Sequence, residues 1–248
     1  MVYLISGLGA DERVFQFLDL SKIDHRFIKW NEPMPNETIV SYCTRLIEQI
    51  NTAASVYLIG ISFGGLIAQE ISKIISCKKV IIISSIKTTN EFSWQLQLVR
   101  KFQLYRFIPL GLLKLLNRLS ADYYFSIQSK SESKLLHEII RDTDDKFLAW
   151  AMHQLMTWEN DSYPENLIHI HGTADRIFPI ASLQPRRFLR TCEVVNEVVK
   201  VANDEAEDNG SLDGVIEIPN GGHFLIVNKA SLIEGLIFEL IENEENGH

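Results

Sequence analysis

The sequence predicts an α/β protein: a mostly parallel sheet of about six strands, helices on both faces, and an all-helical block inserted after the fourth strand. Three observations carry this. Short strand-like runs alternate with helical runs over residues 2–86, and again from Leu167 to the last helix. The runs Val2-Tyr3-Leu4-Ile5, Val56-Tyr57-Leu58-Ile59 and Val80-Ile81-Ile82-Ile83 are apolar throughout rather than alternating, as strands buried on both faces are. Between about 87 and 162 no strand pattern stands out. The expected division is a core of residues 1–86 and 163–248, with 87–162 as a helical cap.

Each element has its own reason. Residues 2–6 form a buried strand that Gly7-Leu8-Gly9 ends, and Ala10-Asp11-Glu12 opens a helix to about Leu20, with acids in its first turn. Residues 26–30 are a second strand, closed by Asn31-Glu32-Pro33. Over 36–50, Ile39, Cys43, Leu46, Ile47 and Ile50 share one helical face. Residues 55–61 are a strand, 65–75 a helix and 79–84 a further strand. In the inserted block, Trp94, Leu98, Phe102 and Tyr105 follow one stripe, and Leu112, Leu113, Leu115, Leu116 and Leu119 a second. Phe147, Leu148, Ala151, Met152 and Leu155 make a third after the helix start Thr143-Asp144. Such spacing ordinarily marks core-facing sides, and a cap can also line a pocket with them. Lys101, Arg106, Lys114 and Arg118 interleave with the apolar residues, a pattern shared with helices that lie on membrane surfaces. Residues 167–171 and 215–218 are the last strands, and 230–241 the closing helix. Between them, residues 184–201 are valine-rich and fit helix or strand, and 204–211 are acidic and read as a flexible surface loop.

Bulk properties narrow the function. A net charge of −8 argues against nucleic-acid binding. Cys43, Cys77 and Cys192 have neither CxxC nor metal-ligand spacing, so each reads as a small packing or surface residue. The opening apolar run is too short for a signal peptide or a membrane span, which makes the cytoplasm the expected location and stable membrane insertion unexpected. The oligomeric state is not encoded in any feature of the sequence.

The chemistry centres on Gly60-Ile61-Ser62-Phe63-Gly64-Gly65, where a strand enters and a helix leaves. So sharp a reversal strains the residue at the turn, and side chains beside it would meet the neighbouring strand and helix, hence glycines there. Ser62 then stands at the carboxyl edge of the sheet and the amino end of a helix, where free N–H groups and the dipole favour developing negative charge. A serine hydroxyl needs an adjacent base, normally a histidine oriented by a carboxylate. Of seven histidines, His223 alone follows a strand on a glycine-flanked loop at that edge. His169 and His171 lie in or at the end of a strand and read as packing or loop-anchoring residues. His25 precedes a strand, at the opposite edge, and His153 belongs to the inserted block. For the carboxylate, Asp175 follows its strand on the same edge, although Ala-Asp-Arg is also turn chemistry. The strand after the elbow helix ends Ser84-Ser85-Ile86-Lys87, with no acid.

These residues give the chain a resemblance to the α/β-hydrolase superfamily, from first strand to last helix. It is carried by Gly60-Ile61-Ser62-Phe63-Gly64-Gly65, His171-Gly172-Thr173-Ala174-Asp175 and Gly222-His223-Phe224, with the helical block at the usual cap position. The resemblance implies Ser62 as nucleophile, His223 as base, Asp175 as acid, and an oxyanion hole from the backbone N–H groups of Leu8 and Phe63. It implies no metal or organic cofactor and a small-molecule substrate, and the aromatic residues of the helical block add the expectation that this is a small or medium apolar carboxylic ester. Three departures accompany it. The loop after the first strand reads Ser6-Gly7-Leu8-Gly9 where the family usually has His-Gly-x-Gly, so a bracing histidine is missing. The chain starts at the strand before that loop, so the family's two opening strands are not expected. The stretch 184–213 is longer than the family needs and could disturb the approach of His223.

Gly7-Leu8-Gly9 also follows a strand and precedes a helix, as in nucleotide-binding loops. Glu12 stands where the third glycine belongs, and that reading fails. Two rivals stay open: a small-ligand binding protein on the same fold, and a lyase or carbon–carbon bond hydrolase using the same residues. Aspartate-nucleophile chemistry is disfavoured by the serine at the elbow.

Overall fold

The sheet gathers every strand that precedes a candidate site residue into one parallel block. In the computed structural model, which describes residues 1–183, 190–195, 198–201 and 215–245, the strands are β1 (Val2–Ile5), β2 (His25–Phe27), β3 (Tyr57–Ile61), β4 (Lys79–Ile83), β5 (Leu167–Gly172), β6 (Arg190–Val195), β7 (Val198–Val201) and β8 (Val215–Ile218). The six expected strands run parallel in the order β2-β1-β3-β4-β5-β8. The valine-rich segment, which sequence left open, resolves as strand: β6 continues the sheet parallel to β8, and β7 pairs antiparallel with β6. The acidic stretch 204–211 lies outside the described residues.

Period-two alternation divides the sheet's side chains between two cores. Tyr3, Ile5, Leu58, Val80 and Ile82 point to the face covered by α1 (Ile39–Leu46) and α2 (Phe63–Ser72), where Cys43, Leu46, Leu66, Ile67 and Ile71 meet them. Leu4, Ile59, Ile81, Ile83, Ile170 and Ile218 point to the other, covered by α7 (Leu225–Asn228) and α8 (Ala230–Glu245). Fully apolar strands are what this two-sided burial requires.

Several boundaries differ from the sequence reading. The helix expected over 10–20 is one 3-10 turn, Glu12–Phe15, capped by the Asp11 carboxylate accepting from the Arg13 amide. Val14, Phe15 and Leu18 are all buried against the sheet, so packing rather than a helical ladder fixes this segment. The second strand is only three residues long. Beyond it the Trp30 indole N–H donates to the Ala10 carbonyl, drawing the chain towards the loop after β1. The elbow helix begins at Phe63, two residues early, because Ser62 is itself the turn.

The inserted block contains α3 (Trp94–Lys101), α4 (Leu110–Tyr124), α5 (Lys130–Asp142) and α6 (Asp145–Thr157), and no strand among its described residues. Asp144 caps α6, its carboxylate accepting from the Phe147 amide at 2.8 Å. Of the stripe on α6, Phe147, Leu148 and Ala151 are almost without exposure, while Met152 and Leu155 are half-buried and border the cavity. Leu135, Leu136 and Ile139 of α5 join the core under α7 and α8. The stripes of Trp94-Leu98-Phe102 and Leu112-Leu115-Leu119 are not buried: all six side chains face solvent. No described helix is long and apolar enough to cross a membrane.

Candidate active site

Ser62 sits at a backbone conformation that β-carbon-bearing residues avoid, with φ 52° and ψ −120°, which costs on the order of 1–3 kcal/mol unless the surroundings enforce it. The surroundings do. The Ser62 amide donates to the Ile83 carbonyl at 2.9 Å, and its carbonyl accepts from the Gly65 amide at 2.8 Å and the Ser85 hydroxyl at 2.7 Å. A Cβ at Gly60 would overlap the Gly64 carbonyl of the emerging helix. One at Gly64 would overlap the carbonyls of Ile5 and Ser6 on the neighbouring strand. The two glycines are therefore required by the close approach of strand, turn and helix, as the motif predicts.

The structure brings the three candidate side chains into one chain of hydrogen bonds. His223 Nε2 lies 2.9 Å from Ser62 Oγ, and His223 Nδ1 lies 2.8 Å from Asp175 Oδ2. The long stretch before His223 does not disturb this approach. Asp175 is buried, and its Oδ1 accepts from the amides of Ile177 (2.8 Å) and Phe178 (2.9 Å). Burial raises the Asp175 carboxyl, but the adjacent charge and hydrogen bond of His223, helped by His171 and the Phe178 amide, hold it below its ordinary value. The carboxylate is thus ionised and aimed at the imidazole. His223 is packed between the Phe125 and Phe178 rings, edge-on at 5.2 and 5.6 Å.

Leu8 and Phe63, the expected amide donors, both border the cavity at Ser62. Neither amide donates a backbone hydrogen bond to another described residue outside the regular elements. Their loop has no histidine brace; one residue of the loop itself and two from elsewhere in the chain take its place. The Ser6 hydroxyl (2.7 Å) and the Trp30 indole (2.8 Å) both donate to the Ala10 carbonyl, and the Thr143 hydroxyl is shared between the carbonyls of Gly9 (2.9 Å) and Ile139 (2.7 Å). Gly9 is left-handed at φ 71°, and a Cβ there would run into the Thr143 side chain.

Sequence reasoning missed a further layer behind Asp175. His171 and His169 are wholly buried on β5, with His169 Nε2 3.0 Å from His171 Nδ1. His171 Nε2 donates to the Phe178 carbonyl at 2.8 Å and lies 3.5 Å from Asp175 Oδ2. His171 is therefore the loop anchor its position suggested, and it also backs the carboxylate. His153, by contrast, sits away from Ser62 and pairs with the Tyr105 hydroxyl at 3.1 Å. Cys43 is buried, Cys77 half-buried, and both are free thiols, while the Cys192 side chain lies outside the described residues. Among the described residues no group of three His, Cys, Asp or Glu side chains could hold a metal ion.

Over Ser62 and His223 opens a cavity of about 530 Å³. Apart from the site residues its walls are overwhelmingly apolar, with Val14, Leu136, Ile139, Leu148, Met152 and Phe224 among them. The segment after α4 is pinned to the site: Ser126 Oγ donates to the Ala174 carbonyl, the Phe224 amide to the Phe125 carbonyl, and Arg176 to the Tyr123 carbonyl.

No protein-family model matches the chain, and no curated protein sequence matches it. Solved structures do. One is a thermophilic esterase from Thermogutta terrifontis: 14% identity, TM-score 0.68, covering 98% of this chain and 89% of that one. A hydrolase from Oleispira antarctica has 16% identity and a TM-score of 0.65 over 98% and 90%. A meta-cleavage product hydrolase from Pseudomonas fluorescens has 15% identity and a TM-score of 0.59 over 99% and 91%. At such identities the likeness is one of fold.

Proposed function

Because the chain has the α/β-hydrolase fold, we propose that it is a serine hydrolase acting on small or medium apolar carboxylic esters. The observation that carries this is the unbroken chain Ser62–His223–Asp175 at the floor of an apolar cavity. In this reading His223 Nε2 takes the Ser62 proton as the hydroxyl oxygen attacks the ester carbonyl. Asp175, ionised at neutral pH, stabilises the imidazolium through Nδ1. The amides of Leu8 and Phe63 bind the oxyanion, each worth about 3 kcal/mol of transition-state stabilisation. His223 returns its proton to the departing alkoxide, and water then attacks the acyl-enzyme by the same route. Residues 87–162 serve as the cap, supplying α5 and α6 side chains to the cavity wall. The apolar lining is what favours an apolar acyl or alcohol group.

The test is hydrolysis of p-nitrophenyl esters from acetate to decanoate by the wild type and by Ser62→Ala, with fluorophosphonate labelling alongside. Turnover and labelling that both vanish in Ser62→Ala support the proposal. Labelling without ester turnover would reject the ester assignment while keeping Ser62 as nucleophile, and would favour the carbon–carbon or ligand-binding alternatives. Absence of both in the wild type would sink it.

A further inference from the structure

The stripes of α3 and α4 are spaced like buried helix faces and yet lie open to solvent. Phe107 is 80% exposed, Leu119 75%, Trp94 68% and Phe102 59%, with Leu98, Leu104, Leu112 and Leu115 exposed between them. Single exposed apolar side chains are ordinary, whereas a continuous run of large ones marks a surface that meets something. Charge on the same stretch says what it meets. Residues 92–121 hold the bases Arg100, Lys101, Arg106, Lys114 and Arg118 and no acid, in a chain whose net charge is −8. Arg100 is engaged, donating to the carbonyls of Leu155 and Trp158 and pairing with Glu159. Lys101 and Arg106 are exposed among the aromatic residues. The patch is also continuous with the cavity, whose rim includes Leu96, Ser120, Ala121 and Tyr124 from the same two helices.

We propose that the face formed by residues 94–119 docks on an anionic phospholipid surface. Apolar side chains on a basic stretch without an acid from 92 to 121 are the combination that such an interface rewards: rings and leucines seat at the acyl boundary, and Lys101 and Arg106 meet the headgroups, while Asp122 lies at the far end of α4 and pairs with His137. The helices lie along the surface and do not span it, since α4 has only 15 residues. A second copy is the poorer occupant. A two-fold contact through this face would set its bases against the same bases, with no acid in 92–121 to receive them. Docked this way, the rim that leads to Ser62 lies beside the lipid, so apolar molecules dissolved there reach the cavity without crossing water. The docking itself does not rest on the hydrolytic reading.

The experiment is co-sedimentation of the full chain with phosphatidylcholine vesicles, with and without phosphatidylglycerol, at low and raised salt. Wild-type protein should pellet with the anionic vesicles and be released by salt. Phe107→Asp and Arg106→Glu, both at exposed positions and expected to leave the thermal melt unchanged, should each weaken partition by at least about fivefold. Ser62→Ala should pellet as the wild type does, which separates this result from any failure of the hydrolase proposal. Wild-type protein that stays in the supernatant with anionic vesicles overturns the inference. Pelleting that neither substitution reduces overturns the assignment to this face. A dimer in light scattering that Phe107→Asp dissolves, without vesicle binding, gives the face to a second copy and overturns it too.

Discussion

Acidification should destabilise this fold through two histidines that take no direct part in the proposed chemistry. His169 and His171 are both buried on β5, and their hydrogen bonds assign one order of protons: Nε2–H of His169 to Nδ1 of His171, and Nε2–H of His171 to the Phe178 carbonyl. A further proton on His169 would have to sit on Nδ1, which is buried and makes no hydrogen bond of good geometry, the Ser85 backbone offering only weak support. Burial pushes His169 well below its ordinary value of 6.5; His171 and Lys87 add like charge, and the Ser85 backbone opposes least. Burial lowers His171 too, with Asp175 pulling the other way. Unfolded, both rings take a proton near their ordinary value, so below it the unfolded chain binds more protons than the fold. Stability is then complete above about pH 6.5 and falls as the pH falls. A histidine that stays neutral in the fold loses about 2 kcal/mol between about pH 7 and pH 5. That figure is the ceiling for either ring, with His169 the more strongly lowered of the two, out of a total that is typically about 5–15 kcal/mol. Urea unfolding at the two pH values measures the loss. His169→Gln keeps an N–H donor towards His171 and cannot titrate, so its loss should be smaller, by up to about 2 kcal/mol. A wild-type midpoint that does not move, or a His169→Gln protein that loses as much as the wild type, refutes the reasoning.

Two further predictions concern the site. Asp175→Asn should keep the fold and lower kcat by about 10⁴-fold, since the amide no longer fixes the productive His223 tautomer; steady-state kinetics on the best ester would show it. Gly64→Ala drives a methyl group into the backbone carbonyls of Ile5 and Ser6. Backbone inside a sheet cannot retreat as a side chain can, so the cost should be at least about 3 kcal/mol in urea unfolding.

The strands were legible because burial on both faces leaves an unbroken apolar run, and glycines at 7, 60 and 172 mark where each run ends. The Ser62, Asp175 and His223 positions were legible for a related reason. A parallel sheet sends every strand's carboxyl end to one edge, so polar residues just past β3, β5 and β8 converge whatever lies between them. What could not be read was whatever depends on a partner far along the chain. The sequence showed that the loop after β1 lacks a histidine, but not that Trp30 and Thr143 would brace it. It showed His171 at the end of a strand, but not that the chain after Asp175 returns to place the Phe178 carbonyl on its ring. Over residues 10–20 a helical pattern yielded one 3-10 turn, because core contacts of Val14, Phe15 and Leu18 outweigh modest local propensity.

The exposed stripes of α3 and α4 show where periodicity stops being informative. An apolar residue every three or four positions states that a helix has a water-avoiding side; it does not state what that side avoids water against. On α6 the answer lies within the chain, since Phe147, Leu148 and Ala151 are covered by it. On α3 and α4 the same spacing, with Phe102 and Phe107 on the turns between them, is left uncovered. The difference is visible in sequence only through charge. The α6 segment 144–157 carries acids and a base, whereas 92–121 carries bases alone. A helix that packs on its own acidic chain has no need of such one-sidedness, and a surface that must approach negative headgroups does. Hydrophobic period together with charge sign, rather than either alone, therefore separates a helix built to be covered by its own fold from one built to meet something outside it.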